Sequence, residues 1–215
     1  MSLRLYYHPL ASYCWKVLIA LYENETPFEP ELVDLADPLA AAAFKRIWPI
    51  GKFPVLRDEA RDNTIPESSI IIEYLAKYHP GKLELLPGDP DRAREVRLRD
   101  RFYDQYVHEP MQKIVGNKLR PADAKDEHGV VQAKAQLAIS YALINEHMQK
   151  IRWAAGDAFS MADCAASPAL YYANLVMPIS ASYLHTRAYL ERLTARPAFA
   201  RVIAEAQPNF SLFPG

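Results

Sequence analysis

Ser12 and Cys14 lie two residues apart at the point where a short alternating run, Leu3 to Tyr7, breaks at His8-Pro9 and an apolar helix begins. A hydroxyl and a thiol at a helix start make a natural place for an anion, because the first-turn N–H groups have no acceptor within the helix. Tyr7, closing the alternating run, brings a second hydroxyl to the same turn. Glu67-Ser68, after Pro66, opens another helix and offers an acceptor for an ammonium beside N–H donors for a carboxylate. Between the two starts, Trp48-Pro49-Ile50-Gly51-Lys52-Phe53-Pro54-Val55 is a rigid loop that carries a cation, Lys52, into a short strand.

These groups need a frame. Leu3, Leu5 and Tyr7 alternate with Arg4 and Tyr6, the period of a half-buried strand. Trp15, Leu18, Ile19 and Tyr22 recur at helical spacing, so Tyr13 to Glu23 is expected to be a helix. Pro27 to Val33 reads as a second strand, its prolines pointing to an edge. Pro38 to Ile47 reads as a short helix with proline in its first turn. Val55-Leu56 and Asn63 to Ile65 form a hairpin, and a third helix runs to Tyr78 before His79-Pro80-Gly81 stops it. After a Pro- and Gly-bearing connection no further strand is expected. Asp91 to Asn117 and Glu127 to Ile151 read as long helices, the first kinked or broken at Pro110. Phe159 to Cys164 has the form of a capping box, Ser160 the cap and Asp163 its reciprocal partner. It opens a nearly all-apolar and therefore buried helix. Two shorter helices, Tyr189 to Ala195 and Pro197 to Ala206, follow. The expected organisation is a β-α-β-α-β-β-α unit over residues 1–82, a linker over 83–90 and an all-helical domain over 91–215.

Bulk properties exclude several classes of function. The 215-residue chain is half hydrophobic, with a formal net charge of −1, so nothing electrostatic favours nucleic acid or an anionic membrane surface. No apolar run reaches membrane-spanning length, and Val17 to Leu21 is too short for a signal-peptide core. Cys14 and Cys164 form neither a metal-ligand spacing nor a disulfide framework. A reduced, cytoplasmic protein without a metal is expected.

Four stretches, taken in order, give the sequence a family likeness: HPLASYCWKVLIAL, GKFPVL, PESSIIIEYL and FSMADCAASPAL. Together they resemble the soluble glutathione transferases over essentially the whole chain, in particular serine-type bacterial members of zeta- or theta-like kind. The resemblance implies an α+β, thioredoxin-like N-terminal domain followed by an all-α C-terminal helical bundle. It implies glutathione as cosubstrate, a small electrophile as second substrate, a detoxification role and a homodimer. It also implies a glutathione site made of Ser12, Lys52, Phe53, Pro54, Val55, Glu67 and Ser68. In that site the Phe53–Pro54 bond would be cis, the Val55 backbone would pair with the cysteinyl unit and Lys52 would meet the glycine carboxylate.

Thiol activation needs little. Lowering a thiol pKa by two units from about 8.5 takes about 2.7 kcal/mol. A hydroxyl hydrogen bond to a charged sulfur supplies about 1.5–3 kcal/mol, and a helix N-terminus about 0.3–1 kcal/mol. The family's catalytic position, three residues before Cys14, is held here by Ala11. Ser12, one residue later, is therefore the leading donor, with Tyr7 as runner-up and backbone N–H groups alone as the third option. Ala11-Ser12-Tyr13-Cys14 also resembles a glutaredoxin site that has lost its nucleophilic cysteine, which makes Cys14 a packing residue. The electrophile site is expected between the domains, with Tyr103, Tyr106, His108, Met111 and Ile114 as candidates and Val115 beside them. Alternatives are a glutathione-dependent isomerase of maleylacetoacetate type, a non-catalytic binding protein and a thiol oxidoreductase.

Overall fold

A computed structural model describes residues 3–214. Strand β1 (Leu3–Tyr7) leads into helix α1 (Ser12–Glu23), strand β2 (Glu29–Leu32) and helix α2 (Pro38–Ile47). Strands β3 (Val55–Asp58) and β4 (Asn63–Pro66) and helix α3 (Ser68–Tyr78) complete the first half. The sheet order is β2-β1-β3-β4, with β1 and β2 parallel and the other neighbours antiparallel. β2 carries Pro30 and is exposed throughout, and as an edge strand it tolerates a residue that cannot donate on its outer side. The fold is the thioredoxin-like unit followed by a helical bundle.

The second half comprises α4 (Pro90–Phe102), α5 (Glu109–Leu119), α6 (Glu127–Met148), α7 (Met161–Val176), α8 (Leu184–Thr194) and α9 (Pro197–Ala206). One helix was expected over 91–117, with its irregularity at Pro110. Instead Tyr103–His108 winds as a π-helical segment between α4 and α5, and Pro110 sits in the first turn of α5. Pro110 has no N–H to give the Tyr106 carbonyl one turn back. That carbonyl accepts from the Ser140 hydroxyl of α6 instead, at 2.6 Å. The helix therefore keeps its course through the proline, and the wider π turn precedes it. α8 begins at Leu184, five positions earlier than expected, and α6 ends at Met148 rather than Ile151.

α7 joins the halves. It packs along α1, α4 and the π segment, and its residues Cys164, Ala165, Ala166, Ala169 and Leu170 have no more than 1% of their surface exposed. Ser160 donates its backbone N–H to Asp163 Oδ2 at 2.9 Å, the reciprocal bond of a capping box. Asp163 Oδ1 accepts from the Ala154 N–H at 2.8 Å and the Tyr189 hydroxyl at 2.6 Å, so one carboxylate ties α7 to α8. The connection before α4 is also anchored, because the Met161 N–H donates to the carbonyl of the buried Leu85. Trp15, fully buried on α1, lies against Tyr171, Tyr172 and Phe199 of the helical half. Its indole N–H donates to the Pro9 carbonyl, which fixes the loop before α1.

Candidate active site

The loop from His8 to Ala11 is held from three directions. His8 Nδ1 accepts the Leu10 N–H at 3.2 Å, the Ala11 N–H returns to the His8 carbonyl at 3.0 Å, and the Tyr172 hydroxyl of α7 donates to the Leu10 carbonyl at 3.0 Å. α1 then starts with Ala11 as its cap, a residue with no side chain to cover the first-turn donors. The N–H groups of Ser12 and Tyr13 stand at this start, where an anion is favoured.

Ser12 itself is 5% exposed, and its Oγ forms a close hydrogen bond with His108 Nε2 at the end of the π segment, 96 residues away. Gln112, one turn further on, places its amide nitrogen 3.2 Å from the same ring nitrogen. The Tyr13 ring lies over the imidazole at 3.8 Å between centroids. Burial, with a contribution from the Lys16 charge, pushes His108 down to about 3, so the ring is neutral at physiological pH.

Two cavities meet here. The first is a groove of about 460 Å³ with Lys52, Phe53 and Pro54 on one wall. Glu67 and Ser68 form its end, and Tyr13, Arg101, Asp104 and Gln112 its other wall. The Phe53–Pro54 peptide is cis. Gly51, at φ +68, makes the turn before it, and a Cβ there would come within 3.2 Å of the Lys45 side chain. Glu67 also has positive φ, +69, a conformation that costs a non-glycine residue energy and is often held at binding sites. It turns the chain sharply so that α3 starts facing the groove.

Behind that helix start lies a buried charge cluster. Lys16 Nζ is 2.6 Å from Asp100 Oδ1, 2.8 Å from Asp104 Oδ2 and 2.8 Å from Ser69 Oγ. Arg101 adds a second cation, 2.8 Å from each of Asp100 and Asp104. Two carboxylates are thus matched by two cations. Burial nevertheless raises Asp104, against the pull of Lys16.

The second cavity is an apolar cleft of about 350 Å³ lined by Leu10, Ala11, Met111, Val115, Tyr172 and Phe213, among others. Ser12 and Gln112 lie on its boundary, and Gln112 lines both cavities. A polar groove suited to an amino-acid-like ligand therefore meets an apolar cleft at a helix N-terminus.

The structure brings Lys52, Phe53, Pro54, Glu67 and Ser68 to the groove, and Ser12 and Met111 to the cleft. Val55 has its side chain fully buried beside Val33 and Phe44, leaving only its backbone for a ligand. Tyr7, the runner-up donor, packs against the main core and lines neither cavity. Burial first, then the Glu205 charge, raises its pKa, the opposite of what an activating tyrosine needs. Four of the electrophile-site candidates do not line the cleft. Tyr103 and Ile114 are buried in the bundle core, at 1% and 3% exposure, where neighbouring helices rather than a cleft cover them. Tyr106 lies 47% exposed and lines neither cavity. His108 backs Ser12 rather than lining the cleft. Cys14 is fully buried, and burial pushes its thiol up to about 12, so it is a packing residue.

Sequence reasoning missed Tyr13, Arg101, Asp104 and Gln112 on the groove and Tyr172 and Phe213 in the cleft. The one local signal was the four-residue spacing of Asp104, His108 and Gln112, which places three polar groups along one side of the helix. Among the described residues no group of three or more His, Cys, Asp or Glu side chains is arranged to hold a metal ion.

Comparison with known proteins gives this geometry its context. Residues 5–83 match the model of the glutathione S-transferase N-terminal domain, and residues 105–197 that of the glutathione S-transferase C-terminal domain. Glutathione S-transferase 3 of Zea mays is 32% identical over 211 residues, 94% of this chain and 93% of the relative. A probable maleylacetoacetate isomerase of Caenorhabditis elegans is 30% identical over 217 residues, 97% of this chain and 96% of the relative. A glutathione S-transferase of Methylobacterium radiotolerans, solved in complex with glutathione sulfonate, superposes with a TM-score of 0.81 at 27% identity. The match covers 94% of this chain and 95% of that one. The chain belongs to the glutathione S-transferase family.

Proposed function

We propose that the protein binds glutathione in the polar groove, ionises its thiol at the start of α1 and directs the thiolate at a small apolar electrophile in the adjoining cleft. The observation that carries this reading is the position of Ser12 in the apolar cleft, with the next residue, Tyr13, lining the groove and Gln112 lining both cavities. In the groove, Glu67 accepts from the ligand ammonium, the first N–H groups of α3 and the Ser68 hydroxyl hold the neighbouring carboxylate, and Lys52 takes the carboxylate at the far end. The Val55 backbone pairs with the central unit. Ser12, with the first-turn N–H groups, stabilises the sulfur anion.

The cleft lining of Leu10, Met111, Val115, Tyr172 and Phe213 supports a flat or aromatic electrophile. Ile70 on α3 and Leu98 on α4 are more than half exposed beside the Glu73–Arg97 ion pair, which supports pairing of two copies along this face. Among the described residues no helix is long and apolar enough to cross a membrane. Two buried unpaired cysteines support a reducing, cytoplasmic setting for a detoxifying enzyme.

The test is retention on immobilised glutathione combined with conjugation of chlorodinitrobenzene. Retention with turnover is expected. Retention without turnover for any electrophile contradicts the catalytic part of the reading, and failure to bind contradicts all of it.

A further inference from the structure

We propose that His108 is the positioning residue for Ser12: its Nε2–H donates to the Ser12 oxygen and so turns the serine's own proton toward the sulfur of bound glutathione. The inference rests on the reading of Ser12 as the donor to that sulfur.

A hydroxyl has one hydrogen to give and two lone pairs to offer. Ser12 Oγ is buried, and its hydrogen-bond partner is His108 Nε2. The proton order along this pair therefore decides what Ser12 presents to the cleft. If Ser12 donates to His108, only lone pairs face the sulfur, and they favour a protonated thiol. If His108 donates to Ser12, the serine proton is free for a thiolate, and a hydroxyl that already accepts a hydrogen bond is the stronger donor. The other groups at this helix start, the first-turn N–H groups, are donors. An anion bound there selects the second order, because only that order adds a donor to the set.

The surroundings suit such a role. His108 is a neutral imidazole in a buried site, so one ring nitrogen carries the proton and the other is an acceptor. The Tyr13 ring covers one face and fixes its plane. The Gln112 amide nitrogen lies 3.2 Å from Nε2, and protonation of Nε2 requires a half-turn of that amide, which brings its oxygen to the same N–H as acceptor. Because Gln112 also lines the glutathione groove, the ligand and the imidazole share a neighbour. One turn before His108 along the π segment, Asp104 is fastened to Lys16 of α1, which keeps the imidazole opposite Ser12.

The experiment is the pH titration of the ultraviolet thiolate absorbance of bound glutathione, with kcat and glutathione affinity measured alongside. The proteins compared are wild type, Ser12→Ala, His108→Leu, His108→Asn, His108→Gln and the Ser12→Ala/His108→Leu pair. In His108→Leu the thiol pKa is expected to rise by about one pH unit, leaving roughly a tenth of the thiolate below that pKa. Turnover should fall in parallel, while affinity at a pH where the thiol is protonated stays within about twofold. His108→Gln, whose amide N–H reaches the place of Nε2, should restore most of the effect. His108→Asn, which stops short of it, should not, and it stands in should the leucine variant misfold. The double variant should be no worse than Ser12→Ala. An unmoved or lowered thiol pKa in His108→Leu overturns the proposal, a lowered one showing that Ser12 had been donating to His108. A glutamine variant no better than asparagine overturns it as well. An unmoved thiol pKa in Ser12→Ala defeats the serine reading itself, and the pairing with it.

Discussion

Lys16 Nζ sits 2.8 Å from Asp104 Oδ2, one turn beyond the point where Ser12 meets His108. Ser12 and Lys16 are on successive turns of α1, and Asp104 and His108 are one turn apart within one π-helical stretch. The pairs form two rungs of an antiparallel ladder, so the charge cluster and the serine contact are parts of one junction between the halves. Lys16 and Asp100 are each 1% exposed. Removing one member of a buried ion pair leaves an uncompensated charge and costs about 3–5 kcal/mol. Lys16→Met should lower unfolding stability by that order, read as a shift of the urea midpoint, and should weaken the Ser12–His108 contact as well. A loss below about 1 kcal/mol would mean that solvent or Arg101 already balances the two carboxylates.

Glu67 should separate stability from binding. Its positive φ costs about 1 kcal/mol, which glycine relieves. Its carboxylate, in the proposed site, makes a charge-assisted bond to the ligand ammonium. Glu67→Gly should therefore melt higher than wild type. It should bind glutathione roughly tenfold or more weakly by calorimetry, as loss of a bond worth about 1.5–3 kcal/mol implies. Unchanged affinity would remove Glu67 from the binding set.

His108 predicts an acid sensitivity. In the unfolded chain it titrates near 6.5, while in the fold burial holds it down to about 3. As pH falls below 6.5, the unfolded chain takes up a proton that the native protein refuses. Stability then falls by about 1.4 kcal/mol for each pH unit. Between pH 7 and pH 5 wild type should lose about 2 kcal/mol more than His108→Gln, measured by denaturant unfolding at each pH. Equal losses would mean that the imidazole is protonated within the fold.

Phe213 should act on one substrate only. Its ring packs against Tyr172 at 5.3 Å and closes the apolar cleft, and it does not line the groove. Phe213→Ala should raise KM for an aryl electrophile about five- to tenfold, as loss of about 1–1.5 kcal/mol of apolar contact implies. KM for glutathione should not change. A change confined to glutathione would reverse the assignment of the two cavities.

The features legible in the sequence are those specified by neighbours along the chain. The β1–α1 turn, the Glu67-Ser68 helix start and the Ser160–Asp163 capping box each lie within a few residues and declare themselves by residue type and spacing. The π segment does not, because the donor that replaces the missing Pro110 N–H belongs to Ser140 on another helix. The partner of Ser12 is equally remote, and no local rule points a serine at residue 12 toward a histidine at 108. Tyr103, Ile114 and Met111 share one amphipathic pattern, yet only Met111 reaches the cleft. Periodicity shows that a face is apolar without saying whether protein or substrate covers it. Tyr172 was hidden for a related reason: in the nearly all-apolar α7 it reads as core until its hydroxyl is seen to hold the Leu10 carbonyl.

The most direct test of the account is the thiolate titration of bound glutathione in wild type against Ser12→Ala. If the serine hydroxyl and the helix start together ionise the thiol, wild type should show thiolate absorbance rising with a pKa about two units below the free value. Ser12→Ala should move that pKa back up by about one unit or more, as loss of a hydroxyl bond to a charged sulfur worth about 1.5–3 kcal/mol implies. Coincident titration curves for the two proteins would contradict it.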